Sequence, residues 1–309
     1  MIYLILAALC SASMAVALRL SEGYSSNKYA ILTGNYVTCT FIAYILLPEK
    51  RILPSLTNLF RAGAEAGAET AMMTAVLAGI INGVFFLGML LLLQYSIKKN
   101  GAVLSSAFAK LGIMLPVAAS VLFLNERPTL LQTAGMLLVA GAILVVNLEK
   151  GKGGASSKML LLVLFLFSGM GDGMAKVFER IGERRFDALF LFYTFLTALV
   201  LSLIPMMRER FSVNRKMSAA DFISGIFVGI PNYFSTSLLL AAVTRLPAYL
   251  VYPCFSVGTI LIVSFVSVLL TVLSTSLLSK PVRRNSRSRQ KELGTLNGTV
   301  EETVAGFRT

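Results

Sequence analysis

The amino-acid sequence predicts an all-α polytopic membrane protein built as an inverted repeat of five-helix units, with ten spans expected and about nine present. Three observations predict this fold class. Only 14% of the 309 residues are charged and 56% are hydrophobic, whereas a soluble domain carries about 25% charged residues. Apolar runs long enough to cross a bilayer core about 30 Å thick recur along the chain. The order of small and polar residues in the first half also returns in the second half.

Nine spans follow from the apolar runs, because runs of about 20 apolar residues are typical of membrane helices. They are predicted at 2–18, 30–47, 71–95, 102–124, 129–147, 159–178, 187–206, 221–243 and 248–272. The first is not predicted to be a signal peptide, because Arg19 and Lys28 follow the run instead of preceding it. The one long connection, 48–70, is predicted to be a solvated loop with an extra helical turn.

Charge and composition disfavour several classes of function. The net charge is +13, but the basic residues lie in short loops and in the tail, where they orient spans and do not indicate nucleic-acid binding. The chain has no histidine, and its three cysteines fall in apolar runs, so no metal site or cofactor is predicted. Odd-numbered loops carry eleven Lys or Arg and even-numbered loops eight, a weak bias toward an outside N-terminus.

An internal duplication relates the two halves of the chain. A shift of 157 residues places Ser11 on Ser168, Arg19 on Lys176 and Tyr36 on Tyr193. A shift of 146 residues superimposes the glycines of spans 3 and 4 on those of spans 8 and 9, namely Gly79 on Gly225, Gly83 on Gly229 and Gly112 on Gly258. Because each unit has five spans, the second copy is inverted, and a binding site is expected near the midplane where the halves meet.

The duplication predicts three regions. These are a first five-helix repeat at 1–148, a truncated second repeat at 158–273 and a basic disordered tail at 274–309. Span 5, shifted by 146 residues, falls on 275–293, which is too polar to cross a membrane. Either the protein has nine spans or the reading frame has slipped near residue 270. The abrupt end of the repeat at Leu270 favours the slip.

Three ionisable residues are candidates for function, because charges deep in a bilayer cost about 2.5–3.5 kcal/mol each. Asp172 and Lys176 are four residues apart and share a helix face; they either neutralise each other or line a substrate path. Lys110 lies about nine residues into span 4, roughly 13 Å deep, and has no acidic neighbour within four residues. Asp172 is predicted to be its partner, although Lys110 can also snorkel to the interface.

Uncharged polar residues extend the predicted substrate site to Asn82, Asn232, Tyr233 and Tyr252. They lie in spans 3, 8 and 9, and with spans 1, 4 and 6 these are expected to surround a midplane cavity. The Gly-x-x-x-Gly pairs of spans 3 and 8 indicate close helix packing.

Two enzyme motifs are disfavoured. The "GMGD" at 169–172 matches an intramembrane aspartyl protease pattern, but that chemistry needs a second embedded carboxylate, and the other aspartates begin spans. The "DGMAK" at 172–176 lacks the later aspartates of a lipid-headgroup transferase. No enzymatic activity is therefore predicted.

The segment "SVLFLNERPTLLQTAGMLLVAGAILVVN" at 120–147 resembles the junction of spans 4 and 5 in EamA-type members of the drug/metabolite transporter (DMT) superfamily. The resemblance rests on Glu126, Arg127 and Pro128 in the turn and on the glycines that follow. It implies ten helices, two five-helix repeats, cytoplasmic termini, and transport of amino acids, metabolites, drugs or sugar conjugates by proton or substrate exchange. Within this turn, Pro128 is predicted to occupy the first position of span 5, and Glu126 to face the dipole of that helix.

The function expected from these residues is export or import of small metabolites by alternating access in the plasma or inner membrane. Lys110 is predicted to attract an anionic group. Asp172 is predicted to bind an amine or a coupling proton, so the pair suits amino acids or similar zwitterions. The protein is expected to act as a monomer or a homodimer. A non-transporting scaffold or degenerate paralogue, and a lipid-linked sugar flippase of the same fold, stay open as alternatives.

Overall fold

Apolar helices make up most of the described part of the chain. The computed structural model describes residues 1–21, 28–48, 50–54, 64–100, 102–123, 126–147, 155–212, 218–269 and 271–272. Two compact units result, Met1–Ile262 and Val263–Thr309, and in the second unit the described residues 263–269 and 271–272 are helical. The predicted tail at 274–309 lies outside the described residues, as does the predicted boundary around 148–154.

The described ranges contain helices and no strand, which confirms the all-α prediction. The α-helices are α1 (Ile2–Ser21), α2 (Lys28–Ile45), α3 (Ala64–Asn100), α4 (Ala102–Leu111), α5 (Met114–Phe123), α6 (Leu130–Asn147), α7 (Ala155–Ile181), α8 (Asp187–Ser212), α9 (Ala219–Val243) and, beginning at Ala248, α10. A single 3₁₀ turn, Arg184–Phe186, joins α7 to α8.

Six helical segments in the described part of the chain are long and apolar enough to cross a membrane. They are Gly67–Asn100, Leu104–Phe123, Lys158–Ile181, Arg184–Glu209, Ala219–Val243 and Ala248–Leu269, and Ile2–Leu18 is a shorter apolar helix. The remaining predicted spans, α2 and α6, are helices of 18 residues, about 27 Å long at 1.5 Å per residue. These lengths fit a polytopic membrane protein.

The predicted loop at 48–70 is only partly a loop, because α3 begins at Ala64. Glu69, expected in solvent, is 3% exposed and forms an ion pair with Arg51. A carboxylate can be buried here because the guanidinium neutralises it.

Span 4 is broken between α4 and α5. Pro116 has no N–H for the carbonyl of Gly112, so the helix cannot continue with regular bonding. The backbone tightens instead: the Gly112 and Ile113 amides donate to the carbonyls three residues earlier, at 3.3 and 3.4 Å. This break sets Lys110 at the end of α4.

Two helix pairs pack through the same glycine contacts. On α3, a Cβ at Gly83 would lie 2.6 Å from Cβ of Thr197 on α8; on α9, a Cβ at Gly229 would lie 2.6 Å from Cβ of Thr38 on α2. Helix α1 packs on α9, and α7 correspondingly packs on α3. Thr38 and Thr197, which make the equivalent contacts, are 159 positions apart. The structure therefore relates span 2 to α8 by a shift of 159 residues, two more than the shift of 157 taken from the sequence.

The corresponding helices α2 and α8 pack against each other in opposite directions. Near the start of α2, Thr33 Oγ1 lies 3.2 Å from Ser202 Oγ, far along α8. Near its end, the Tyr44 ring lies 6.1 Å from that of Phe192, close to the start of α8. The second repeat is therefore inverted relative to the first. Helices α2, α5, α7 and α9 end on one side, called the Glu126 side below, and α3, α8 and α10 begin there.

The glycine packing predicts unequal effects of adding a methyl group. Gly83→Ala and Gly229→Ala should each lower the free energy of unfolding by about 1–3 kcal/mol, because the new Cβ overlaps a neighbouring helix. Gly135→Ala is the matched control, since nothing lies within 4 Å of its Cβ position. Unfolding in sodium dodecyl sulfate measures the differences; equal behaviour of all three variants would contradict the packing.

The inversion predicts opposite accessibility at the starts of the corresponding helices. In a cysteine-free background, Lys28→Cys at the first residue of α2 and Arg185→Cys just before α8 should react with a membrane-impermeant maleimide from opposite sides. Lys50→Cys, just after α2, is the control and should react from the same side as Arg185→Cys. Labelling of Lys28→Cys and Arg185→Cys from one side would refute the inverted repeat.

Candidate functional site

A buried lysine lies at the centre of a charged cluster on the Glu126 side. Lys176 is 9% exposed, and its Nζ lies 3.0 Å from Glu126 Oε1 and 3.0 Å from Glu179 Oε2. Glu179 is one turn further along α7, whereas Glu126 follows α5 in the first half of the chain. The charged cluster, meaning Glu126, Lys176 and Glu179, therefore joins the two halves by an ion pair.

Glu126 also holds the start of α10. Its second oxygen, Oε2, accepts a hydrogen bond of 2.9 Å from the backbone N–H of Ala248. The first N–H groups of a helix have no partner within the helix, and the helix dipole favours a negative charge there. One carboxylate thus stabilises a lysine on α7 and the N-terminus of α10.

Tyr252 lies one turn into α10 and is fully buried. Its hydroxyl donates a 2.7 Å hydrogen bond to the backbone carbonyl of Asp172 on α7. The hydroxyl is also within electrostatic range of the Asp172, Glu126 and Glu179 carboxylates. Tyr252 therefore connects the charged cluster to Asp172, deeper in α7.

Lys110 and Asp172, the predicted pair, lie on α4 and α7 in the two halves of the chain, and no ion pair joins them among the described residues. Lys110 is within electrostatic range of Asp172. Next to Lys110, the carbonyl of Ala109 accepts a 2.6 Å hydrogen bond from the Ser168 hydroxyl. Within its own helix this carbonyl has only the long, 3.3 Å bond from the Gly112 amide, because span 4 is broken there. The contact is close because a Cβ at Gly112 would lie 2.7 Å from the backbone nitrogen of Gly169.

The other predicted binding residues lie in helix–helix packing. Asn82 Nδ2 donates to Thr194 Oγ1 at 3.2 Å, and Asn232 Nδ2 donates to Asn35 Oδ1 at 3.0 Å. Tyr233 is buried in an aromatic core with its ring 5.9 Å from that of Phe195. Interhelical bonds of this kind stabilise membrane bundles. Of these side chains, Asn82 keeps one buried atom, Oδ1, without a hydrogen-bond partner.

The turn residues take other positions than expected. Helix α6 begins at Leu130, two residues after Pro128, so Pro128 is not its first residue. Thr129 and Gln132 form a reciprocal cap there, with hydrogen bonds of 2.8 and 3.3 Å, and α6 does not need Glu126. Glu126 instead reaches Lys176 and Ala248, while Arg127 is exposed.

Two cavities lie near the Glu126 side. One, of about 310 Å³, is a groove between α5 and α7 that Lys176 helps to line. The other, of about 250 Å³, lies between Arg51, Glu69 and Arg185 over an apolar floor. None of the six predicted substrate-binding residues lines either cavity. In the described ranges, no cluster of three potential ligands could hold a metal ion.

Sequence reasoning missed the bond from Glu126 to α10. One signal was available: Leu246 and Pro247, which precede α10, carry no side-chain oxygen to cap its amides. A helix that begins inside a protein without its own cap needs an acceptor from elsewhere.

Residues 1–148 match the EamA-like transporter family, which confirms the resemblance seen in the turn after span 4. The match covers α1 to α6. No curated protein matches the chain significantly.

The charged cluster predicts that substitutions of Lys176 and Glu126 have non-additive effects on the free energy of unfolding. Lys176→Met should lower the free energy of unfolding by roughly 2–3 kcal/mol, because Glu126 and Glu179 would face each other without a cation. Adding Glu126→Gln should recover part of that loss, giving a coupling of about 0.5–3 kcal/mol in the double-mutant cycle. Unfolding in sodium dodecyl sulfate measures all four proteins; strictly additive losses would argue against the ion pair.

Proposed function

Because residues 1–148 belong to the EamA-like transporter family within the DMT superfamily, we propose that the chain is a secondary transporter that moves small metabolites by alternating access. The observation that carries the proposal is the position of Lys110 beside the break in span 4, within electrostatic range of Asp172 in the other half of the chain. Interrupted helices at the interface between inverted repeats are where many secondary transporters bind their substrates.

The two charges define the substrate class. Lys110 attracts a carboxylate or another anionic group, and Asp172 binds an amine or a coupling proton. Together they suit a zwitterion, so amino acids and related small metabolites are the proposed cargo. The bond from Tyr252 to the Asp172 carbonyl supports this role because it holds this part of α7 against α10.

In the proposed alternating-access cycle, the charged cluster is a contact between the two halves that forms and breaks. Glu126 belongs to the first half, whereas Lys176 and Ala248 belong to the second. Rocking of the halves that opens the Glu126 side must break both contacts of Glu126, so the cluster stabilises the state that is closed there. The proposed setting is the plasma or inner membrane, with the protein a monomer or a homodimer.

Neutralising the central carboxylate tests the proposal. Asp172→Asn should abolish uptake of radiolabelled amino acids into liposomes while leaving membrane insertion intact, and Lys110→Gln should weaken uptake of carboxylate substrates. Glu183→Gln and Lys158→Gln are matched controls, since each removes the same charge from an exposed position, and both should transport normally.

The transport measurements test the role of Asp172 separately from the assignment of the protein as a transporter. Full transport by Asp172→Asn would remove Asp172 from the mechanism without affecting the family assignment. Failure of the unaltered protein to move amino acids, nucleosides, sugars or cationic drugs in either direction would count against the transporter itself and favour a scaffold.

A further inference from the structure

The α5–α7 groove has a chemical character unlike that of the charged cluster beside it. Its walls are apolar over most of their area and include Leu115, Phe123, Met170, Val177 and Ile181. The only charged residues in its lining are Lys176 and Arg180, both basic, and no carboxylate lines it. A groove of about 310 Å³ lies at the small end of the range for ligand sites, about 300–1,000 Å³.

The groove faces outward, toward the bilayer. Its rim residues Phe123 and Ile181 are 80% and 60% exposed, which is ordinary for side chains that meet lipid. These residues are also the last of α5 and α7, so the groove runs from the hydrocarbon region up to the membrane surface on the Glu126 side.

Glycines on α7 create the groove. At Gly169 the helices touch, since an added Cβ would lie 2.7 Å from Cβ of Leu115. One turn later, at Gly173, the nearest atom of Pro116 is 3.5 Å away from such a Cβ. Helices α5 and α7 therefore diverge toward the Glu126 side, and Gly169 and Gly173 line the α5–α7 groove between them.

We propose that the α5–α7 groove binds an anionic phospholipid of the surrounding leaflet. One acyl chain lies between the apolar walls, and the phosphate meets Arg180 at the rim. Arg180 is exposed and has no ion pair within the part of the chain that the structure describes, and a guanidinium fits two phosphate oxygens at once. Lys176, four residues earlier on the same face, is neutralised by Glu126 and Glu179, so Arg180 alone supplies the charge that selects an anionic lipid.

The absence of tryptophan from the chain makes a site-specific reporter possible. Phe123→Trp puts one indole in the groove wall of the full-length protein, reconstituted in phosphatidylcholine nanodiscs. Brominated phosphatidylglycerol should quench this indole at about fivefold lower mole fraction than brominated phosphatidylcholine, the preference expected for one arginine near an anionic lipid. Phe41→Trp is the control, because Phe41 is exposed on α2 near the same side and outside the groove.

Two further changes in the Phe123→Trp protein identify the contacts. Arg180→Gln should remove the preference for the anionic lipid, whereas Arg185→Gln, an equal loss of charge outside the groove, should keep it. Ala119→Leu should fill the groove from its exposed wall and remove the preference as well. Equal quenching by both lipids in Phe123→Trp, an equal preference in Phe41→Trp, or a preference that survives Arg180→Gln would each overturn the proposal.

Discussion

The buried charge of Lys176 is the constraint that ties the two halves together. Lys176 is 9% exposed among helices, and removing one partner of a buried ion pair is strongly destabilising. Glu179, on the same helix, could neutralise it without any tertiary contact. Glu126 also binds it, and the same carboxylate caps α10. Glu126 therefore both balances the charge of Lys176 and joins α7 to the start of α10.

The glycine contacts are nearly symmetric between the halves, whereas the charges are not. Gly83 and Gly229 meet Thr197 and Thr38 at the same distance, 2.6 Å, from their Cβ positions. A shift of 146 residues, however, places Val272 where the first half has Glu126. The second half thus has no acid at that position to form an equivalent cluster. The helix packing is therefore nearly symmetric, whereas the ion pair of Glu126 with Lys176 joins the halves on the Glu126 side.

The sequence could predict contacts that follow from residue type alone, namely those of buried charges and of glycines. Lys110 had one carboxylate at comparable depth, Asp172, and the two residues lie within electrostatic range of each other. The paired glycines predicted where helices touch. Contacts that depend on helix rotation were missed. Asn82 and Asn232 turn into packing interfaces, where each amide finds an interhelical partner. The equivalent glycine contacts pair Thr38 with Thr197, so the correspondence between α2 and α8 differs by two residues from the one taken from the sequence.

The break in span 4 gives its two halves different tasks. Helix α4 carries Lys110 in its last turn, within electrostatic range of Asp172, and the bond from Ser168 to the carbonyl of Ala109 joins α4 to α7. Helix α5 leads to Glu126 and also forms one wall of the groove. Because Pro116 interrupts the bonding between them, α4 and α5 are not one continuous helix. Under the two proposals, the lipid contacts α5 and the substrate contacts Lys110 on α4, so the two ligands would lie on opposite sides of the same break.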